Sequence, residues 1–98
     1  MFASMSTFSA DGMDLAATAQ VVGETMEPWM RQFEGYQGLM ILTDQERGKA
    51  RMITFWESRE TADKSRHGRL KMRDQLSGTI GVTVEGTEPY TVSFVDGF

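Results

Sequence analysis

FEGYQGLMILTDQERGKARMITFWES, from Phe33 to Ser58, decides the fold. Two apolar runs, Leu39 to Thr43 and Ala50 to Trp56, flank the polar segment Asp44-Gln45-Glu46-Arg47-Gly48, and Gly48 suits the left-handed backbone of a tight turn. The stretch reads as a β-hairpin. An antiparallel sheet wet on one side alternates apolar with polar residues, and these strands do not. With Thr43 set opposite Lys49, Met40 faces Met52 and Leu42 faces Ala50 on one side, while Leu39, Ile41, Ile53 and Phe55 share the other. Both faces need covering.

Upstream, Met1 to Phe8 reads as an edge or near-edge strand, broken by Ser9-Ala10-Asp11-Gly12. Asp11 is placed to cap a helix whose apolar stripe, Leu15, Ala19, Val22, Met26, Trp29 and Phe33, steps by four and three in turn. Pro28 removes a donor inside that pattern, which predicts a kink or restart before Gly35 ends the helix. Downstream, Ser58 opens a second helix with Glu60 in its first turn. Its apolar stripe is thin, Ala62, Leu70, Met72 and Leu76 interrupted by Gly68, so fewer contacts hold it. Ser77-Gly78 and Gly81 end that helix. The tail reads Val82 to Val84, a break over Gly86 to Pro89, then a strictly alternating strand Tyr90 to Phe94, with Pro89 confined to a strand start or an edge.

The order βαββαβ describes an α+β, ferredoxin-like protomer in which residues 1–98 form a single domain, a four-stranded antiparallel sheet with both helices on one face. Two helices cover one sheet face at most. Burying a large apolar side chain contributes about 1.5 to 3 kcal/mol, so about three or four on the second face, counted on two subunits, rival the roughly 5 to 15 kcal/mol net stability of a domain. The expectation is a homodimer, two sheets packed face to face as a dimeric α/β barrel, with the Tyr90 to Phe94 edge reaching the neighbour.

Composition narrows the function. With 40% hydrophobic residues and no apolar run of spanning length, no membrane association is expected. Met1 to Gly12 lacks a basic region followed by an apolar one, so a cytoplasmic location is the default. The absence of cysteine excludes disulfides, thiolate metal sites and a thiol nucleophile. The net charge of −4 is uneven: Arg59 to Asp74 carries +3. That basic helix is a solvated face, or it complements an anionic ligand or an acidic patch on a partner. The acidic balance elsewhere and the lack of a recognised motif argue against nucleic acid.

His67, between Arg66 and Gly68-Arg69, is a candidate general base or anion ligand, or simply an exposed side chain, histidine being the residue type that changes charge near neutral pH. Tyr36 is a second catalytic candidate. One histidine and no cysteine leave only scattered carboxylates, so no metal site is expected. Gly35-x-x-Gly38 precedes a strand and is a turn, not a phosphate loop. Trp56, Trp29, Phe55, Met52 and Met72, with His67, are the candidate lining of a pocket for a flat hydrophobic ligand, and the same bulky side chains suit an ordinary core. The small residues Ala62, Ser65 and Gly68 on one face of the second helix leave room for such a pocket.

Gly35-x-x-Gly38, the apolar strand, the Asp44-x-x-x-Gly48 turn and Thr54-x-Trp56-Glu57-Ser58 together resemble the antibiotic biosynthesis monooxygenase-like family. The resemblance implies a dimeric α/β barrel with a ferredoxin-like protomer and a ligand pocket between helices and sheet. It further implies either cofactor-independent oxygenation of an aromatic small molecule or haem degradation. The chain departs from both enzyme patterns, because it has no asparagine. Ser65 stands where haem-degrading relatives carry a further tryptophan, and His67 falls about two turns short of the expected haem ligand, which disfavours haem degradation. Two functions compete: an oxygenase without cofactor acting on a hydrophobic aromatic molecule, and a non-catalytic dimer that binds a hydrophobic or anionic small molecule.

Overall fold

The Asp44 carboxylate organises the hairpin turn, accepting hydrogen bonds from the Arg47 amide at 3.2 Å and Arg47 Nε at 2.7 Å, while the Gly48 amide donates to the Gln45 carbonyl at 3.3 Å and Gly48 takes φ 64°. In the computed structural model, which describes residues 1–97, this turn joins the second and third of four strands. The elements run β1 (Phe2–Ser9), α1 (Leu15–Met30), β2 (Tyr36–Asp44), β3 (Lys49–Trp56), α2 (Arg59–Ile80) and β4 (Thr83–Thr91). The sheet is antiparallel in the order β2-β3-β1-β4, so the βαββαβ, ferredoxin-like expectation holds for the protomer.

The turn also corrects the hairpin register. Its four residues leave Asp44 opposite Lys49, Thr43 opposite Ala50, Ile41 opposite Met52 and Met40 opposite Ile53. A slip of one residue exchanges partners between faces. Met52 therefore joins Ile41 and Leu39 on the helix-covered side, and Met40 and Leu42 share the helix-free side with Ile53 and Phe55. Both faces remain apolar, with the sets redistributed.

β1 lies next to the edge strand β4, flanked by β3 and β4, which agrees with the near-edge reading; the two helical crossovers set it between its partners. α1 is capped by Asp14, which accepts from the Ala17 amide at 3.1 Å, and not by Asp11. Gln45 fixes that choice, donating to the Met13 carbonyl at 2.7 Å and accepting from the Leu15 amide at 2.9 Å. α1 stops at Met30, short of Gly35. The helix runs through Pro28 without a restart, and past its end turn bonds run from Gln32 to the Trp29 carbonyl and from Phe33 to the Met30 carbonyl.

Ser58 caps α2 as expected, in a reciprocal box with Thr61: Ser58 Oγ accepts from the Thr61 amide and Thr61 Oγ1 from the Ser58 amide, each at 3.2 Å. The helix runs through Ser77-Gly78 and ends only at Gly81, φ 82°. Ser77 is at home inside it, donating to the Arg73 carbonyl at 2.7 Å. β4 is continuous where a break was expected, because a bulge between the Thr7–Gly86 and Phe8–Val84 pairs absorbs Glu85. It ends at Thr91, not Phe94, and Pro89 lies on this edge strand. Phe94 and Val95 are exposed beyond it.

Trp56 and Met30 are completely buried and form the core with Phe2, Met26, Met52 and Ala62. On the helix-free face Met40 and Leu42 remain 37% and 47% exposed. Among the described residues no helix is long and apolar enough to cross a membrane.

Gly35 and Gly78 offer opposite tests. A Cβ on Gly35, at φ 79°, would drive into the Thr61 side chain of the capping box, whereas Gly78 is an open helical position. Gly35→Ala is expected to lower unfolding free energy by more than about 1 kcal/mol, and Gly78→Ala to raise it by roughly 0.5 to 1 kcal/mol, both measured by urea denaturation.

Candidate functional site

On the helix-covered side of β1 and β3, Ser4, Ser6 and Thr54 lie between the bulky residues Phe2 and Trp56 at one end and Phe8 and Met52 at the other. Each hydroxyl row faces α2, which brings few apolar groups. Its buried residues are Thr61, Ala62, Ser65, Arg69 and Ser77. Small and polar side chains beneath a long helix leave space. Three small spaces lie along α2.

The first, about 60 Å³, is apolar and lies between both helices and the sheet, walled by Phe8, Met26, Ile41, Met52, Leu76 and Ile80. The second, about 20 Å³, is lined by Ser4, Ser6 and Thr54 below and by Arg69 and Arg73 above, and it shares Met26, Met52 and Arg73 with the first. The third, about 60 Å³, lies between α2 and the β1–β4 edge, bounded by Arg59, Arg66, Thr87 and Pro89, and it shares Ser4, Arg69 and Leu70 with the second.

The polar groups are largely satisfied. Trp56 Nε1 donates to Thr54 Oγ1 at 2.9 Å, and the Ser6 and Thr87 hydroxyls meet at 2.8 Å. Arg73 donates to Thr87 Oγ1 and, through Nε at 3.0 Å and Nη2 at 2.9 Å, to Asp74. Arg69 is different. Only 8% exposed, it places its guanidinium 4.7 Å from the Trp56 ring centre and donates through Nε to Ser65 Oγ and through Nη2 to the Ala62 carbonyl, both at 2.8 Å. It forms no ion pair among the described residues. Burial, assisted by the charge of Arg66 and opposed by Asp63, pushes its pKa down to about 10.

The residues expected from the sequence are only partly brought together. Met52 lines the first two spaces and Trp56 forms the floor beneath Arg69. Trp29 and Tyr36 join Phe33 in an aromatic cluster at the far side of Trp56, with ring centres 4.8 Å apart for Trp29 and Phe33 and 5.8 Å for Tyr36 and Trp56. Burial raises the Tyr36 phenol above its ordinary value, against the pull of Arg31. Phe55 points to the other sheet face. Met72 lines none of the three spaces, and His67 lies on the exposed surface of α2 beside Lys71 and Asp74. Sequence reasoning passed over Arg69, Arg73, Ser4 and Ser6. A signal existed: Arg69 continues the Ala62, Ser65 stripe at helical spacing, which turns a basic residue inward.

The protomer is thus a ferredoxin-like α+β domain with its open space beneath the second helix. Over its whole length it is similar to the crystal structure of a candidate antibiotic biosynthesis monooxygenase from Deinococcus radiodurans, with a TM-score of 0.67, 17% sequence identity, and coverage of 100% of this chain and 98% of that one. At that identity the likeness is one of fold, in agreement with the resemblance carried by Thr54-x-Trp56-Glu57-Ser58. No protein-family model and no curated protein sequence matches the chain.

Below a pH of about 10 the desolvation of the Arg69 cation opposes folding, and the opposition is relieved above that pH because the folded state holds the proton less tightly than the unfolded one. Arg69→Met is therefore expected to leave the thermal unfolding midpoint at neutral pH unchanged or higher, the thioether still covering the indole. Arg69→Ala, which uncovers Trp56, is expected to cost about 1 to 3 kcal/mol.

Proposed function

We propose that this chain works as a homodimer that holds a small hydrophobic aromatic molecule between α2 and the sheet and promotes its direct oxygenation without a cofactor. The observation that carries the reading is the apolar space beside Met52 and beneath α2, in a chain sharing its fold with a candidate monooxygenase. Such chemistry asks a protein to strip water from an electron-rich substrate and to orient it. For an anthrone-type methylene, oxygen supplies one atom to the new carbonyl and leaves with the two hydrogens as water. The guanidinium of Arg73 in the space, with that of Arg69 in the adjoining one, favours the deprotonated form of the substrate, which is the form that gives electrons to oxygen.

A second reading, a binding dimer without turnover, is favoured by one feature. Among the described residues, no carboxylate or imidazole lines the apolar space, so proton abstraction has no evident base there. Oxygen uptake and thermal stabilisation measured with the same panel of anthrones and quinols separate the readings. Uptake that saturates with substrate, together with a raised unfolding midpoint, is the expected result. Stabilisation without uptake would move the assignment to the binder, and neither effect would overturn both.

The dimer reading rests on the helix-free face, where Met40 and Leu42 remain exposed beside Ile53. Wild-type protein is expected to sediment as a dimer at micromolar concentration, and Met40→Glu combined with Leu42→Glu as a monomer, because two carboxylates on each sheet would be buried against each other. A single-chain mass for folded wild type would contradict this assembly.

A further inference from the structure

We propose that Arg69, with Arg73 and the hydroxyls of Ser4 and Ser6, is the anchor for a carboxylate, so that the ligand beneath α2 is a small aromatic carboxylate with its ring in the apolar space and its charged end toward the β1–β4 edge. The inference rests on the reading that a ligand occupies this space, and it adds the chemical class.

A buried guanidinium ordinarily faces a carboxylate. Arg69 is buried over Trp56 with none among the described residues. Two of its donors are spent on Ser65 and Ala62 of its own helix, and Nη1, which reaches solvent, donates to no group among the described residues. The stack on the indole and the two hydrogen bonds hold the fork rigidly, which lowers the entropy cost of receiving a planar, two-oxygen partner. Arg73, one helical turn on, extends the positive lining into the apolar space, although Asp74 already compensates part of its charge. Arg69 is therefore the uncompensated charge of the pair. Ser4 adds a hydroxyl that bonds no side chain among the described residues, and it lines both the arginine space and the outer opening.

Charge agrees with this class, and the ring enters only as α2 lifts from the sheet, because about 60 Å³ is well short of the roughly 150 Å³ that accepts benzene. A space of about 20 Å³ holds little more than one water, which suits a carboxylate and not a phosphate ester. The adjoining 60 Å³ is walled almost wholly by hydrocarbon and thioether groups. At the outer opening Arg59, Arg66 and Arg69 outnumber Asp63, giving an approaching anion a favourable field. Burial without a counter-ion has already lowered the Arg69 pKa, and a bound carboxylate would recover that loss.

The test compares benzoate and 1-naphthoate with their near-isosteric neutral ketones, acetophenone and 1-acetylnaphthalene, by calorimetric titration of wild type, Arg69→Met and the exposed control Lys71→Met. The expected result is at least tenfold tighter binding of the acids than of the ketones by wild type and by Lys71→Met. In Arg69→Met that preference should vanish while ketone binding stays the same. The Nε–Hε resonance of Arg69 in wild type, followed by NMR, should shift with benzoate and not with acetophenone, a readout that does not depend on the variant folding. Equal affinity for acids and ketones, or a preference that survives in Arg69→Met, would overturn the carboxylate anchor and leave the pocket standing. Failure of all four compounds to bind at millimolar concentration would remove the ligand site itself.

Discussion

A helix of 22 residues lies across the sheet with hardly a large apolar side chain pressed fully into it. α1 buries Leu15, Met26 and Met30, whereas α2 buries Thr61, Ala62, Ser65, Arg69 and Ser77. Apolar burial contributes roughly 25 cal/mol per Å² removed from water, so α2 is underprovided and is held by other means. Its start is fixed by the Ser58–Thr61 box, its first turns by Ala62 in the core cluster with Trp56, and its middle by the Arg69 guanidinium laid on the same indole. Past Arg69, Leu76 packs against the core beside the apolar space. The site beneath it is a consequence of that economy.

Trp56 connects the two halves of this arrangement. It ends β3, directly before the Ser58 cap, and it is the surface on which α2, the Phe33–Tyr36 turn and β1 meet. Thr54, two residues earlier on the same face, holds the indole N–H and so fixes the ring orientation that Arg69 stacks upon. The hairpin register set by Asp44 and Gly48 puts Met52 in the same row, as the thioether wall of the apolar space. Its alternate residues, Ile53 and Phe55, are thereby committed to the opposite face with Met40 and Leu42. One turn thus determines both what lines the interior space and what is offered to a neighbour.

Much of this was legible in the sequence because it depends on local spacing: the element order, the hairpin, the Ser58 cap, the thin stripe of the second helix and Pro89 on an edge. Features decided by side chains distant in sequence were not legible. The register turned on the Asp44 bonds to Arg47, and the start of α1 on Gln45 reaching from the hairpin to Met13 and Leu15. For the site, apolar residues such as Trp56 and Met52 announced themselves. Arg69 did not, because a basic residue in a basic helix resembles its solvated neighbours, and only its alignment with Ala62 and Ser65 marks it as inward.

Xenon tests most directly whether α2 spans an unfilled apolar space, since dry cavities lined by hydrocarbon accept it without any polar recognition. In crystals held under xenon pressure, the gas is expected between Met26, Ile41, Met52 and Leu76. Crystals that bind xenon elsewhere, or not at all, with these side chains in mutual contact, would contradict the account.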